Sequence, residues 1–194
     1  MKRGYQIAAA VLALSAAGTA QAHIISAQGG GFGAGFAHPF TGLDHMLAMI
    51  AVGLWASQLG GRARWAVPLA FMGAMTVGAG LALAGVRLPM VETGIASSVL
   101  VLGLLIAFAA RLPVAVSAVL VGAFAVFHGH AHGNELPQAA SEALYGGGFL
   151  LATGALHVFG LVLGARMHRL FDPVWLRALG GGIAAMGAAM WMMT

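Results

Sequence analysis

Phe127 to Pro137 reads FHGHAHGNELP. His128, His130, His132 and Glu135 fall together there, at the end of an apolar run, in a chain with only 7% charged residues. A second polar group, His38, Asp44 and His45, lies in another apolar stretch far upstream. Imidazole nitrogens and carboxylate oxygens together form a donor set suited to Ni2+, Co2+, Zn2+ or Mn2+. Such side chains are costly in lipid, about 2.5–3.5 kcal/mol for a central Asp on insertion scales, and they persist there when paired or functional. A lone buried imidazole such as His157 is ordinarily a hydrogen-bonded helix contact, whereas several at helical spacing point to a site. If the helix carrying His128 continues to its end, His128, His132 and Glu135 share one stripe at i, i+4 and i+7, and His130 points the other way. Gly129, Gly133 and Pro137 are the residues that could end that helix early. His38 and His45, seven apart, are expected on one helix face, with His45 roughly 10 Å deeper. Asp44 lies off that line, placed to face a neighbouring helix or to orient an imidazole.

These residues need a scaffold, and composition says which kind. The 194-residue chain is 60% hydrophobic with a mean hydropathy of +0.92. Soluble domains carry about 25% charged residues, so lipid is the expected solvent. The length suits one helical bundle and no second domain. The absence of cysteine excludes disulfides and thiolate metal sites. Met1–Ala22 reads as a secretory signal peptide: Lys2 and Arg3 precede the apolar Ile7–Ala17 run, and Ala20-Gln21-Ala22 forms the cleavage site. Cleavage leaves residues 23–194 as the mature domain. It makes His23 the new N-terminus, where an α-amine and an imidazole on one residue can chelate a metal. Ile24–Ala37 is Gly-rich without helical logic, an outer loop or a short re-entrant segment. Six apolar segments follow, at roughly 39–57, 65–84, 92–110, 114–130, 143–165 and 173–192. Each approaches the ~20 residues that cross a ~30 Å core, and backbone pairing inside lipid makes them helices. Gly160 and Gly164 form a GxxxG suited to close helix contact.

The cations orient the bundle. Arg62, Arg64, Arg111, Arg166, Arg169 and Arg177 fall at one set of loops, and Arg87 alone at the other. The first set is therefore cytoplasmic, and both termini of the mature chain lie outside. The basic pI near 10.8 comes from these orienting residues, so nucleic acid is not expected as a partner. In this topology His23, His38, His45, His128, His130 and His132 gather in the outer half with Asp44, Glu92 and Glu135. His157 sits near mid-membrane, and His168 is a solvated loop residue. The methionines are core filler.

At these positions the sequence resembles the HupE/UreJ family of membrane proteins. The family's first-helix motif, H-x5-D-H, matches His38, Asp44 and His45. Its F-H-G-x-[A/V]-H-G-x-E motif matches Phe127, His128, Gly129, Ala131, His132, Gly133 and Glu135, with His130 on the variable position. Glu92 and His157 also look like family positions. The resemblance implies an inner-membrane permease for nickel or cobalt. The sequence reading is thus an all-α, six-span, N-out/C-out bacterial permease. Its metal site is His38, Asp44, His45, His128, His132 and Glu135, and His23, Glu92 and His157 line a secondary pathway. Its substrate is a divalent transition metal, Ni2+ first and Co2+ as the alternative, with no tightly bound cofactor. Its surroundings are membrane lipid, with a homo-oligomer left open. No G-x-x-x-x-G-K-[S/T] loop is present, so the chain has no ATP hydrolysis of its own by that route. Two rival readings are a metal-binding sensor or chaperone subunit and a membrane metalloenzyme; the absence of H-E-x-x-H counts against the latter, and the chain is not expected to be an enzyme.

Overall fold

A computed structural model describes residues 31–136 and 141–194. The signal-peptide expectation and His23 lie outside the described residues. Helix α1 (Phe32–Ala37) leads into a 3-10 turn, His38–Phe40. Six longer helices follow: α2 (Leu43–Leu59), α3 (Ala63–Leu83), α4 (Val91–Ala107), α5 (Val114–Asn134), α6 (Glu142–Leu170) and α7 (Pro173–Trp191). Among the described residues there is no strand. Every apolar segment of the sequence is a helix, and the fold is all-α.

Helices pair where glycines let backbones meet. A Cβ on Gly53 would strike the His157 carbonyl, and one on Gly160 the Ile50 carbonyl, which locks α2 to α6. Gly78 and Gly129 sit on the carbonyls of Val126 and Met75, joining α3 to α5. Gly103 and Gly187 sit against the backbones of Ala184 and Leu100, joining α4 to α7. Van der Waals contact of this kind holds helices together where the hydrophobic effect between them is weak. Trp55, Phe71, Met49, Leu102 and Ile106 fill the centre. Trp65, Leu69, Val77, Val119, Leu151, Val158 and Val162 turn outward, each more than half exposed. An apolar exterior of that extent is rare on a soluble monomer.

Two expectations are corrected. Residues 32–37, read as lacking helical logic, form α1, because Gly35 packs on the Tyr145 backbone and Gly148 on that of Phe32. Tertiary contact outweighs poor glycine propensity there. His38 and His45 were expected on one helix face, but the chain bends by 83° between the α1/3-10 pair and α2. Thr41 and Gly42 stand in that break, and Pro39 lies in the 3-10 turn just before it. Conversely, Gly129 and Gly133 do not end α5, which runs on to Asn134.

Helices α3, α5 and α6 are long and apolar enough to cross a membrane, and the bent α1–α2 pair makes a fourth such stretch. Helix α4, at 17 residues, is shorter. The two ends of the bundle differ. At one, Trp55 Nε1 donates to the Ala110 carbonyl (3.0 Å), Gln58 Nε2 to that of Ile106 (3.1 Å) and Arg177 Nε to that of Ala107 (2.9 Å). These three hydrogen bonds go to carbonyls at the end of α4 and just past it. The histidine-rich motifs meet at the opposite end.

Candidate metal centre

The break before α2 and the continuity of α5 together build the site. His38, on the 3-10 turn, places Nε2 3.1 Å from Glu135 Oε2. Glu135 caps the last turn of α5. His132 Nδ1 lies 3.5 Å from the same carboxylate oxygen, long for a hydrogen bond. The imidazoles of His132 and His38 hold the Glu135 carboxyl well below the usual carboxylate range, so it is anionic at neutral pH. One donor atom from each of His38, His132 and Glu135 fits within 4.8 Å of the others. Donors about 2.1 Å from one tetrahedral ion stand about 3.4 Å apart, so this trio is gathered more loosely than a closed cage.

Below this mouth the imidazoles form a column. The ring of His132 lies 4.8 Å from that of His38 and 4.2 Å from that of His45; His45 in turn lies 4.9 Å from His128. The bend that takes His38 and His45 off a common helix lets His132 contact both. His128 and His132 occupy one face of α5, and both are buried. Phe71 touches His128 at 5.5 Å and His157 at 5.2 Å between ring centroids, carrying the series toward α6.

Ring-nitrogen partners separate ligands from supports. Asp44 Oδ1 accepts from His45 Nδ1 at 2.7 Å and from the His45 backbone N–H at 2.8 Å. A carboxylate only accepts, so in the neutral ring the proton of His45 sits on Nδ1 and the lone pair on Nε2, which is buried without a partner. The arrangement is the carboxylate–histidine pairing that orients metal ligands; Asp44 acts through His45. Also buried without hydrogen-bond partners are His128 Nδ1 and both ring nitrogens of His132 and His157. A buried polar atom left unpaired costs about 1–3 kcal/mol, so these nitrogens call for partners: a cation suits the lone pair of each neutral ring, and water or another acceptor its N–H. His130 is different. Its Nε2 donates to the Val86 carbonyl at 2.7 Å, and its Nδ1 accepts from Asn134 Nδ2 at 3.2 Å. Both nitrogens are in use, on the side of α5 away from the column.

The column residues are those of the two motifs, and a family model described as HupE / UreJ protein matches residues 10–190. The chain belongs to the HupE/UreJ family. Protein HupE of Rhizobium leguminosarum bv. viciae is 47% identical to it over 185 residues, 95% of this chain and 96% of that protein. No solved structure matches. Family membership and the apolar helices together make this HupE/UreJ chain a membrane protein.

Glu92 stands in the first turn of α4, exposed, where the helix dipole favours an anion; it is not among the three donors gathered at the mouth. Sequence reasoning missed Ser98 of this HupE/UreJ chain. It is fully buried, and its Oγ lies 2.8 Å from His128 Nε2. Serines in an apolar helix, here the adjacent Ser97 and Ser98, usually bond back to their own helix, so no sequence signal distinguished Ser98. Phe71 was likewise indistinguishable from core.

Proposed function

We propose that this HupE/UreJ protein is an inner-membrane permease for a divalent transition metal, Ni2+ first and Co2+ as the alternative. The observation that carries the reading is the column of buried imidazoles whose unpartnered nitrogens begin at an anionic mouth and continue inward. A conducting pathway must bind an ion well enough to select it and weakly enough to release it. Loosely gathered donors in series, His38/Glu135/His132, then His45 and His128, then His157, meet both demands better than one closed cage. The Glu135 carboxylate attracts the cation at the mouth. Neutral imidazoles then replace its water in steps.

In this reading six helices cross the membrane and the motif end faces outward, with the arginine-bearing loops on the cytoplasmic side. His23 at a mature N-terminus and Glu92 would serve as outer accessory donors. The deciding experiment is metal flux into proteoliposomes, comparing Ni2+, Co2+ and Zn2+ for wild type and His45→Ala. Saturable Ni2+ flux in wild type, lost in the variant, supports the permease. Metal binding without flux would establish a sensor or chaperone instead, and equal flux in both proteins would refute the site.

Asp44→Asn is expected to weaken Ni2+ binding about 10-fold, the lower end of what loss of an orienting partner costs. The amide oxygen can still accept from His45 Nδ1, but the charge that raises imidazole basicity is gone. Calorimetric titration of the purified variant measures this directly.

A further inference from the structure

Helix α4 contributes no residue to either motif, yet it reaches the column at one point. Gly94 makes that approach possible: a Cβ there would lie 2.6 Å from the Phe127 ring. One turn further on, Ser98 faces His128. Its Oγ is 2.6 Å from the Ile95 carbonyl and 2.8 Å from His128 Nε2. The hydroxyl has a single proton. Two oxygens 2.6 Å apart require that proton between them, because a carbonyl cannot donate. The Ser98 oxygen then has only lone pairs to offer His128, and Nε2 must carry the ring proton.

We infer that Ser98 is a positioning residue that holds His128 in the Nε2–H tautomer, making Nδ1 its metal-facing atom. The consequence matches the rest of the column. Nδ1 is the His128 nitrogen left buried without a partner. Asp44 does the complementary thing to His45, occupying Nδ1 and freeing Nε2. Two adjacent rings, 4.9 Å apart, thus have opposite nitrogens tied down by supports from different helices, and each keeps one lone pair for a cation. Without Ser98, His128 could place its proton on Nδ1, where it would repel a metal. The inference deepens the metal reading of the column and rests on it.

The test uses full-length protein, 15N-labelled at histidine, in lipid nanodiscs. Without metal, nitrogen NMR separates protonated from unprotonated ring nitrogens, and a His128→Gln spectrum assigns the His128 signals. Wild type should show Nε2–H only. Ser98→Ala should show both tautomers and bind Ni2+ about 10-fold more weakly. Ser98→Thr, which keeps the hydroxyl and its bond back to the helix, should restore both readouts. A His128 that keeps Nε2–H alone in Ser98→Ala overturns the inference. So does unchanged Ni2+ affinity in Ser98→Ala while His45→Ala loses it. Unchanged affinity in both variants refutes the metal reading itself.

Discussion

His132→Ala is expected to reduce Ni2+ flux by about 100-fold or more, at or beyond the upper end of what loss of a mere orienting partner costs. The reason is position. The His132 ring contacts His38 above and His45 below, and its Nδ1 approaches Glu135. Among the described residues no other imidazole packs against both His38 and His45, so its removal breaks the series. His130→Ala is the matched control. It deletes an imidazole two residues away but one bonded to Val86 and Asn134, and flux should stay within about 3-fold of wild type. Flux measured in proteoliposomes at equal protein incorporation decides the matter. If His130→Ala abolishes flux and His132→Ala does not, the side of α5 assigned to the ion is wrong.

That contrast shows what sequence could and could not reveal. The i, i+4 spacing of His128 and His132, and the opposite direction of His130, follow from helix geometry alone once α5 is known to continue. Continuation was the uncertain part. Gly129 and Gly133 disfavour a helix locally, and only the α3 backbone lying against them explains why the helix persists. The six long helices were legible because long apolar runs have one solution in lipid. The bend at Thr41 and Gly42 was not. A proline near a helix start is compatible with a straight helix, so His38 and His45 read as neighbours on one face. Ser98 was illegible for a different reason: its role depends on a contact between helices, and nothing local marks it. Periodicity reports which residues share a face; it does not report which face of another helix they meet.

The close contact at Gly129 gives the second large effect, and its sign is informative. Alanine is preferred to glycine inside a helix by about 0.8–1 kcal/mol, so on propensity alone Gly129→Ala should stabilise α5. The structure reverses that. The new Cβ would fall on the Met75 carbonyl, with Met75 C at 2.7 Å and Ala79 N at 2.9 Å. All three are backbone atoms of α3 and cannot rotate away. Overpacking of this kind costs about 1–3 kcal/mol, occasionally more, which exceeds the propensity gain over most of that range. Separating α3 from α5 also displaces His128 and His132, the residues beside and one turn beyond Gly129. Gly129→Ala is therefore expected to lower the melting temperature in detergent and to weaken Ni2+ binding together. Gly73→Ala, on α3 with nothing within 4 Å of its Cβ, isolates the propensity term and should leave both unchanged or raise stability slightly. Gly129→Ala as stable as Gly73→Ala, with wild-type affinity, would show that the α3–α5 contact does not hold the column in place.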